Sequence, residues 1–131
     1  MRNLDKANVA ERDTIIFGGY NPDHYSGGIR SFEGLDAEEL KTLVQKNFLD
    51  EADCQNNSPY ARDIISFLED YPMFTAHGYA VSADRYDYRV TIEGVAMSGE
   101  YSKDTLLAFV KMFRDADELT LHETYLSAWY D

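Results

Sequence analysis

The side chains that offer the most chemistry are carboxylates, and the densest group is Asp115, Asp117 and Glu118, three acids within four positions. Oxygen ligands of this kind suit Ca²⁺ and Mg²⁺, but the segment lacks the glycine and the further ligands of a calcium-binding loop. We interpret it as the solvent-exposed end of a helix, with binding of a divalent ion as the less favoured alternative. Carboxylates near a helix C-terminus oppose the helix dipole, which suggests a role other than helix stability.

The remaining residue types do not indicate an enzyme. His24, His77 and His122 are far apart in the sequence, and no pair has the spacing of a zinc site. The single cysteine, Cys54, follows Asp53, whose negative charge disfavours the reactive thiolate. The Gly-x-Ser-x-Gly motif of serine hydrolases is absent from the sequence. We therefore expect a protein that is not an enzyme, with no catalytic residues, no cofactor and no bound metal.

Acidic residues dominate the charge of the chain. The sequence contains 24 acidic and 12 basic residues, for a formal net charge of −12. Residues 33–71 hold ten acids against three bases, or −7, and residues 98–131 hold seven against three, or −4. Asp50, Glu51 and Asp53 form the second dense acidic group, in a polar stretch that we interpret as a connector between two helices.

This charge has a direct consequence for the class of partner. Nucleic acids are bound through lysine and arginine, so the sequence predicts no direct contact with DNA or RNA. The same charge attracts a basic protein surface and accelerates the encounter with it. Six acids are our candidate contacts for such a surface: Asp50, Glu51, Asp53, Asp115, Asp117 and Glu118. In the simpler interpretation, the charge only keeps the protein in solution.

The segment from Gly18 to Gly28 has the composition of a loop, with paired glycines on either side of an Asn-Pro turn. It contains no lysine or arginine and does not lead directly into a helix, so a phosphate-binding loop is not expected. Tyrosine gives a large contact area at a small loss of side-chain entropy. Tyr20 and Tyr25 are therefore further candidate contacts with a partner, and an ordinary surface loop is the alternative.

Three helices are predicted from capping residues and hydrophobic spacing. The first begins after Asp36, which forms a capping-box pattern with Glu39. The second begins at Ser58-Pro59 and ends before Pro72. The third is capped by Ser102.

Strands are predicted from alternation with a period of two. Residues 74–82 and 88–93 alternate and predict an antiparallel hairpin, and residues 125–130 predict a last strand. Residues 14–17 are expected to form one further short strand. The order α-α-β-β-α-β gives an α+β domain with two layers, in which helices pack on one face of a small, mainly antiparallel sheet.

Length and composition predict a single domain of 131 residues, with a loop-rich segment at 1–34 and a compact α+β body at 35–131. The sequence has no apolar run of about 18 residues and no secretory signal at its start, so neither a membrane span nor export is expected. One unpaired cysteine fits a reducing compartment. We therefore expect a cytoplasmic protein.

Two parts of the sequence resemble a group of proteins from mobile elements. Residues 76–82 and 88–94, together with the ending formed by 113–119, 125–126 and 129–131, are similar to small uncharacterised acidic proteins of bacterial phages and plasmids. The resemblance covers about residues 58–131 and assigns no functional residue. Small acidic accessory proteins of mobile elements often inhibit host-defence nucleases, and they include anti-CRISPR proteins and DNA mimics. The resemblance therefore implies an inhibitor of this kind.

The leading hypothesis is a non-catalytic acidic protein that binds and blocks a basic, nucleic-acid-binding surface of a partner, such as a Cas effector nuclease. The alternative is a small regulatory or scaffold protein. It is either a monomer or a homodimer, and the homodimer would pair through the aromatic C-terminal strand. A third hypothesis is an enzyme or metal protein that uses the carboxylates at 115–118.

Overall fold

The computed structural model describes residues 3–131 and has α+β architecture, as predicted. Its helices and strands follow one another in the order α1 (Val9–Phe17), β1 (Ile29–Leu35), α2 (Ala37–Gln45), α3 (Ala61–Asp70), β2 (Thr75–Val81), β3 (Val90–Ser98), α4 (Lys103–Phe113), β4 (Glu118–His122) and β5 (Tyr125–Trp129). The strands form one antiparallel sheet in the order β1-β2-β3-β5-β4. No helix in this part of the chain is long and apolar enough to cross a membrane.

The predicted hairpin and helices are confirmed, with shifts at some ends. Strands β2 and β3 pair antiparallel, and β5 is the predicted last strand. Asp36 and Glu39 form the predicted capping box, with the Glu39 N–H donating to the Asp36 carboxylate at 2.8 Å. Ser102 caps α4 by accepting the Thr105 N–H. Helix α3 begins at Ala61 with Tyr60 as its N-cap, two residues later than the Ser58-Pro59 pattern indicated.

One face of the sheet is buried beneath the helices. Residues paired across neighbouring strands share a face, and pairs such as Ala76 with Val95 and Met97 with Leu126 are almost completely buried. Aromatic side chains of α3 and α4 complete the core, where the rings of Phe67 and Phe113 lie edge to face at 5.1 Å. The opposite face of the sheet carries partly exposed side chains.

The N-terminal segment differs most from expectation. Residues 14–17 lie in helix α1 rather than in a strand, and the segment predicted to be loop-rich also supplies β1. Helix α1 buries Arg12 and Asp13 beside a single apolar residue, Ile16. Because two of its three buried positions are charged, it lacks the apolar stripe from which helices are recognised. Strand β1 is interrupted by a bulge between Phe32 and Leu35, which breaks its alternation.

Strand β4 is the other element that sequence reasoning missed. Helix α4 ends at Phe113, so the acids at 115–118 are not the end of a helix as predicted. They form the turn after α4, and Glu118 is the first residue of β4. Strand β4 lies at the edge of the sheet and is largely exposed, so the burial that usually marks a strand is weak here.

A buried charged network joins α1 to the sheet. The Arg12 guanidinium is fully buried and donates to the Asp13 carboxylate at 2.9 Å, the Val81 carbonyl at 2.9 Å and the Tyr25 hydroxyl at 2.8 Å. It also lies over the Tyr88 ring, 4.6 Å from the centroid. The Tyr25 hydroxyl in turn donates to the second Asp13 oxygen at 2.5 Å. Both charges therefore have polar partners despite their burial.

We expect Arg12→Met to destabilise the fold by about 3–5 kcal/mol, because it leaves Asp13 buried without its partner. Adding Asp13→Asn should recover part of this loss, since the buried charge is then removed. Arg62→Met is the control, because Arg62 is exposed and lies over the Tyr60 ring. Urea unfolding of the four proteins measures these differences. A loss below about 1 kcal/mol for Arg12→Met would show that the network contributes little.

Candidate partner-binding surface

The sheet topology gathers several chain segments at one end of the molecule. Because neighbouring strands are antiparallel, β1, β3 and β4 begin at the same end at which β2 and β5 finish. We call this the proximal end. The loop before β1, the turn between β2 and β3, the acids before β4 and the C-terminal residue after β5 all lie there.

The connector between α2 and α3 reaches the same end. Strand β5 pairs with β3 only from Gly94 onwards, which leaves the first residues of β3 without that neighbour. Residues 53–59 of the connector lie beside this part of β3, where Ser58 and Pro59 line a small gap of about 10 Å³ with Val90 and Thr91. The connector therefore continues the sheet surface beyond the end of β5.

Asp131 bridges the two acidic segments. The Asn56 side-chain amide donates to the Asp131 backbone carbonyl, and the Asp131 N–H donates to an Asp117 carboxylate oxygen at 2.8 Å. We define the acidic surface as the seven residues of these two segments: Asp50, Glu51, Asp53, Asp115, Asp117, Glu118 and Asp131. The structure thus links the connector, through Asn56 and Asp131, to Asp117 of the second acidic group.

Members of the acidic surface differ in exposure and in their local roles. Asp115, Asp117 and Glu118 are exposed, as is Glu51. Asp50 and Asp53 are half-buried, and their carboxylates accept the N–H groups of Ala52 and Cys54 within the connector. The carboxylates at 115–118 and Glu51 are therefore the ones most accessible to a partner.

No carboxylate of the acidic surface forms an ion pair in the part of the chain that the structure describes. Within residues 3–131, ion pairs involve Glu11, Asp13, Glu38, Glu69 and Asp87, none of which belongs to it. The neighbouring Arg62 lies over the Tyr60 ring, 4.7 Å from its centroid. The exposed carboxylates of Glu51, Asp115, Asp117 and Glu118 can therefore attract an external cationic group.

The charge of the acidic surface contributes to the pKa shifts of two neighbouring side chains, Tyr130 and Glu93. Burial raises the pKa of Tyr130 to about 12, and the charges of Asp115 and Asp117 add to the effect. Burial likewise raises the pKa of Glu93, the additional residue of a bulge in β3, and Asp131 adds to this shift. A hydrogen bond from Trp129 acts in the opposite direction on Glu93. Sequence reasoning missed Glu93, because its position follows from the bulge.

The two tyrosines have different surroundings. Tyr20 is 44% exposed, whereas Tyr25 is half-buried and its hydroxyl is held by Arg12 and Asp13. Burial and the hydrogen bond to Asp13 raise the pKa of Tyr25 far above its usual range. Both side chains line one cavity of about 520 Å³ at the proximal end. Tyr25 thus has a structural role in addition to its predicted role as a partner contact.

Groups able to perform metal chemistry are not clustered in the described part of the chain. No set of three or more histidine, cysteine, aspartate or glutamate side chains has a geometry that could hold a metal ion within residues 3–131. Cys54 is exposed and unpaired in the connector. The geometry thus offers no support for the metal-binding alternative at Asp115–Glu118.

Comparison of the chain with protein-family models, curated proteins and solved structures finds no match.

We expect Glu93→Gln to stabilise the protein at pH 7. The folded-state pKa of Glu93 is raised, so its ionised form is disfavoured by folding and the penalty is complete above that pKa. The gain should disappear as the pH falls below about 4.5, where Glu93 is protonated in both states. Glutamine keeps an oxygen that accepts the Trp129 hydrogen bond.

Glu100→Gln is the matched control, because Glu100 is exposed and follows β3 at the opposite end of the sheet. Thermal unfolding of both variants between pH 4 and pH 7.5 makes the comparison. A Glu93→Gln protein that is less stable than the parent at pH 7, or a gain independent of pH, would contradict the assignment.

Proposed function

We propose that this protein is a non-catalytic acidic binding protein that occupies and blocks a basic, nucleic-acid-binding surface of a partner protein in the cytoplasm. The observation that carries the proposal is the bridge from Asn56 through Asp131 to Asp117, which links the acidic connector to the acids that follow α4. A partner built to bind phosphates presents lysine and arginine, and these attract carboxylates in the same way.

The rigidity of the frame supports this function. Connector residues Glu51 and Asp53 accept the N–H groups of Arg62 and Ala61 through their backbone carbonyls, which fixes the connector to the start of α3. Asp117 is fixed through Asp131. A backbone held in place before binding loses little conformational entropy when a partner arrives, so more of the charge attraction contributes to affinity.

The resemblance of residues 58–131 to acidic proteins of phages and plasmids supports a particular class of partner. We propose a host-defence nuclease, such as a Cas effector, whose nucleic-acid channel is lined by basic residues. In this role the protein competes with DNA or RNA and needs no catalytic group.

The homodimer alternative has weaker geometric support. Strand β5 lies between β3 and β4, so both of its hydrogen-bonding edges already have neighbours. The strand at the edge of the sheet beyond β5 is β4, which carries Glu118 and has largely exposed residues. Pairing with a second copy through β5 would first require β4 to separate from it.

Replacing Asp115, Asp117 and Glu118 together by Asn, Asn and Gln removes three charges and keeps the Asp117 oxygen that accepts the Asp131 N–H. We expect capture of basic nucleic-acid-binding proteins from a bacterial lysate to fall by about tenfold, since each exposed charge pair contributes up to about 1 kcal/mol. Quantitative mass spectrometry of pull-downs measures capture, and added duplex DNA should displace the captured protein from the unmodified chain.

The control is the triple replacement Asp70→Asn, Glu100→Gln and Glu123→Gln, which changes the net charge equally. These acids are exposed, have no ion pair within residues 3–131, and lie outside the acidic surface. It should capture as much as the unmodified chain. If both triple variants lost capture equally, binding would depend on net charge alone and the proposal would be overturned. It would also be overturned if the variant at Asp115, Asp117 and Glu118 lost no capture.

A further inference from the structure

The cavity shared by Tyr20 and Tyr25 lies at the proximal end beside β1, at the opposite edge of the sheet from β4. Its volume is about 520 Å³, within the range typical of ligand sites. The loop before β1 contributes Tyr20, Pro22 and Tyr25, and the turn after β2 contributes Asp84. We call this cavity the tyrosine pocket.

The walls of the tyrosine pocket are held before any ligand binds. Tyr25 is fixed by its hydroxyl, which bonds to Arg12 and Asp13. The Asn21 side chain accepts the Asp23 N–H and caps the short 3-10 turn that contains Pro22. A pocket with pre-formed walls avoids the ordering entropy that a mobile loop would lose on binding.

The chemistry of the lining selects a cation. The faces of tyrosine rings attract ammonium and guanidinium groups. Asp84 is exposed and has no ion pair within residues 3–131. The Ser82 hydroxyl donates to one of its carboxylate oxygens, which leaves the other oxygen available. The nearby guanidinium groups of Arg12 and Arg85 are already bonded to Asp13 and Asp87. Neither guanidinium therefore forms an ion pair with Asp84.

We infer that the tyrosine pocket binds one cationic side chain, arginine or lysine, of the basic partner. The inference rests on the proposed function, because the partner is the source of the cation. Neighbouring strands are spaced about 4.8 Å apart, so the tyrosine pocket beside β1 and β2 lies roughly 20 Å from the acids before β4. One partner surface of this length can contact both sites. It would be attracted by the charge of the acidic surface and would insert one cationic side chain into the tyrosine pocket.

Titration with N-acetyl-arginine methylamide, followed by NMR of the full chain, tests this inference. We expect saturable shifts of the Tyr20, Tyr25 and Asp84 amides. Tyr20→Ala and Asp84→Asn should each weaken binding by about three- to tenfold. The citrulline analogue has nearly the same shape without the charge and should bind at least about tenfold more weakly.

Two controls locate the effect. Tyr86→Ala should leave binding unchanged, because Tyr86 is 97% exposed and lies outside the pocket lining. The triple variant at Asp115, Asp117 and Glu118 should also bind the probe normally. Equal binding of arginine and citrulline, shifts confined to the acidic surface, or no saturation would each overturn the inference. If the inference about the tyrosine pocket fails, loss of partner capture by the triple variant would still support the proposed function. The experiments therefore test the inference and the proposed function separately.

Discussion

The Arg12 guanidinium is buried at the junction of α1, the loop before β1 and the end of β2, and the shape of the proximal end depends on its partners. It neutralises Asp13 on its own helix, bonds to the Val81 carbonyl at the end of β2 and positions the Tyr25 hydroxyl. A buried charge without a partner carries a large desolvation penalty, so these contacts form together. The network thus fixes one wall of the tyrosine pocket as part of folding the protein.

The other side of the proximal end is held by Asp131. This residue receives a hydrogen bond from Asn56 and donates one to Asp117, so it links the connector to the turn after α4. Burial raises the pKa values of Glu93 and Tyr130, and repulsion by Asp131 on Glu93 and by Asp115 and Asp117 on Tyr130 adds to these shifts. Such repulsion disfavours folding, and an opposing cationic surface would relieve it.

Sequence patterns predicted the helices and strands that are determined by residues close together in the sequence. The capping box of Asp36 and Glu39 and the alternation in the β2–β3 hairpin are visible within a few residues, and the structure confirms them. Helix α1 was missed because its buried face includes Arg12, whose partners come from residues as distant as Val81. The edge strand β4 was missed because it has little burial to reveal it.

The candidate site was predictable in composition and not in arrangement. Counting charges identified the two acidic groups, because their positions in the sequence are known without the fold. Their proximity depends on Asn56 and Asp131, which are 75 positions apart, and no periodicity encodes such a contact. The role of Tyr25 in the Arg12 network and the place of Asp84 in the pocket likewise follow from tertiary structure.

Hydrogen–deuterium exchange of the protein, alone and with a captured partner, tests most directly whether the proximal end is the binding surface. The account predicts slower exchange at residues 20–25, 50–57 and 115–118 and at Asp131, with little change elsewhere. Protection centred on helices α2 and α3, or on the partly exposed face of the sheet, with none at these segments would contradict it.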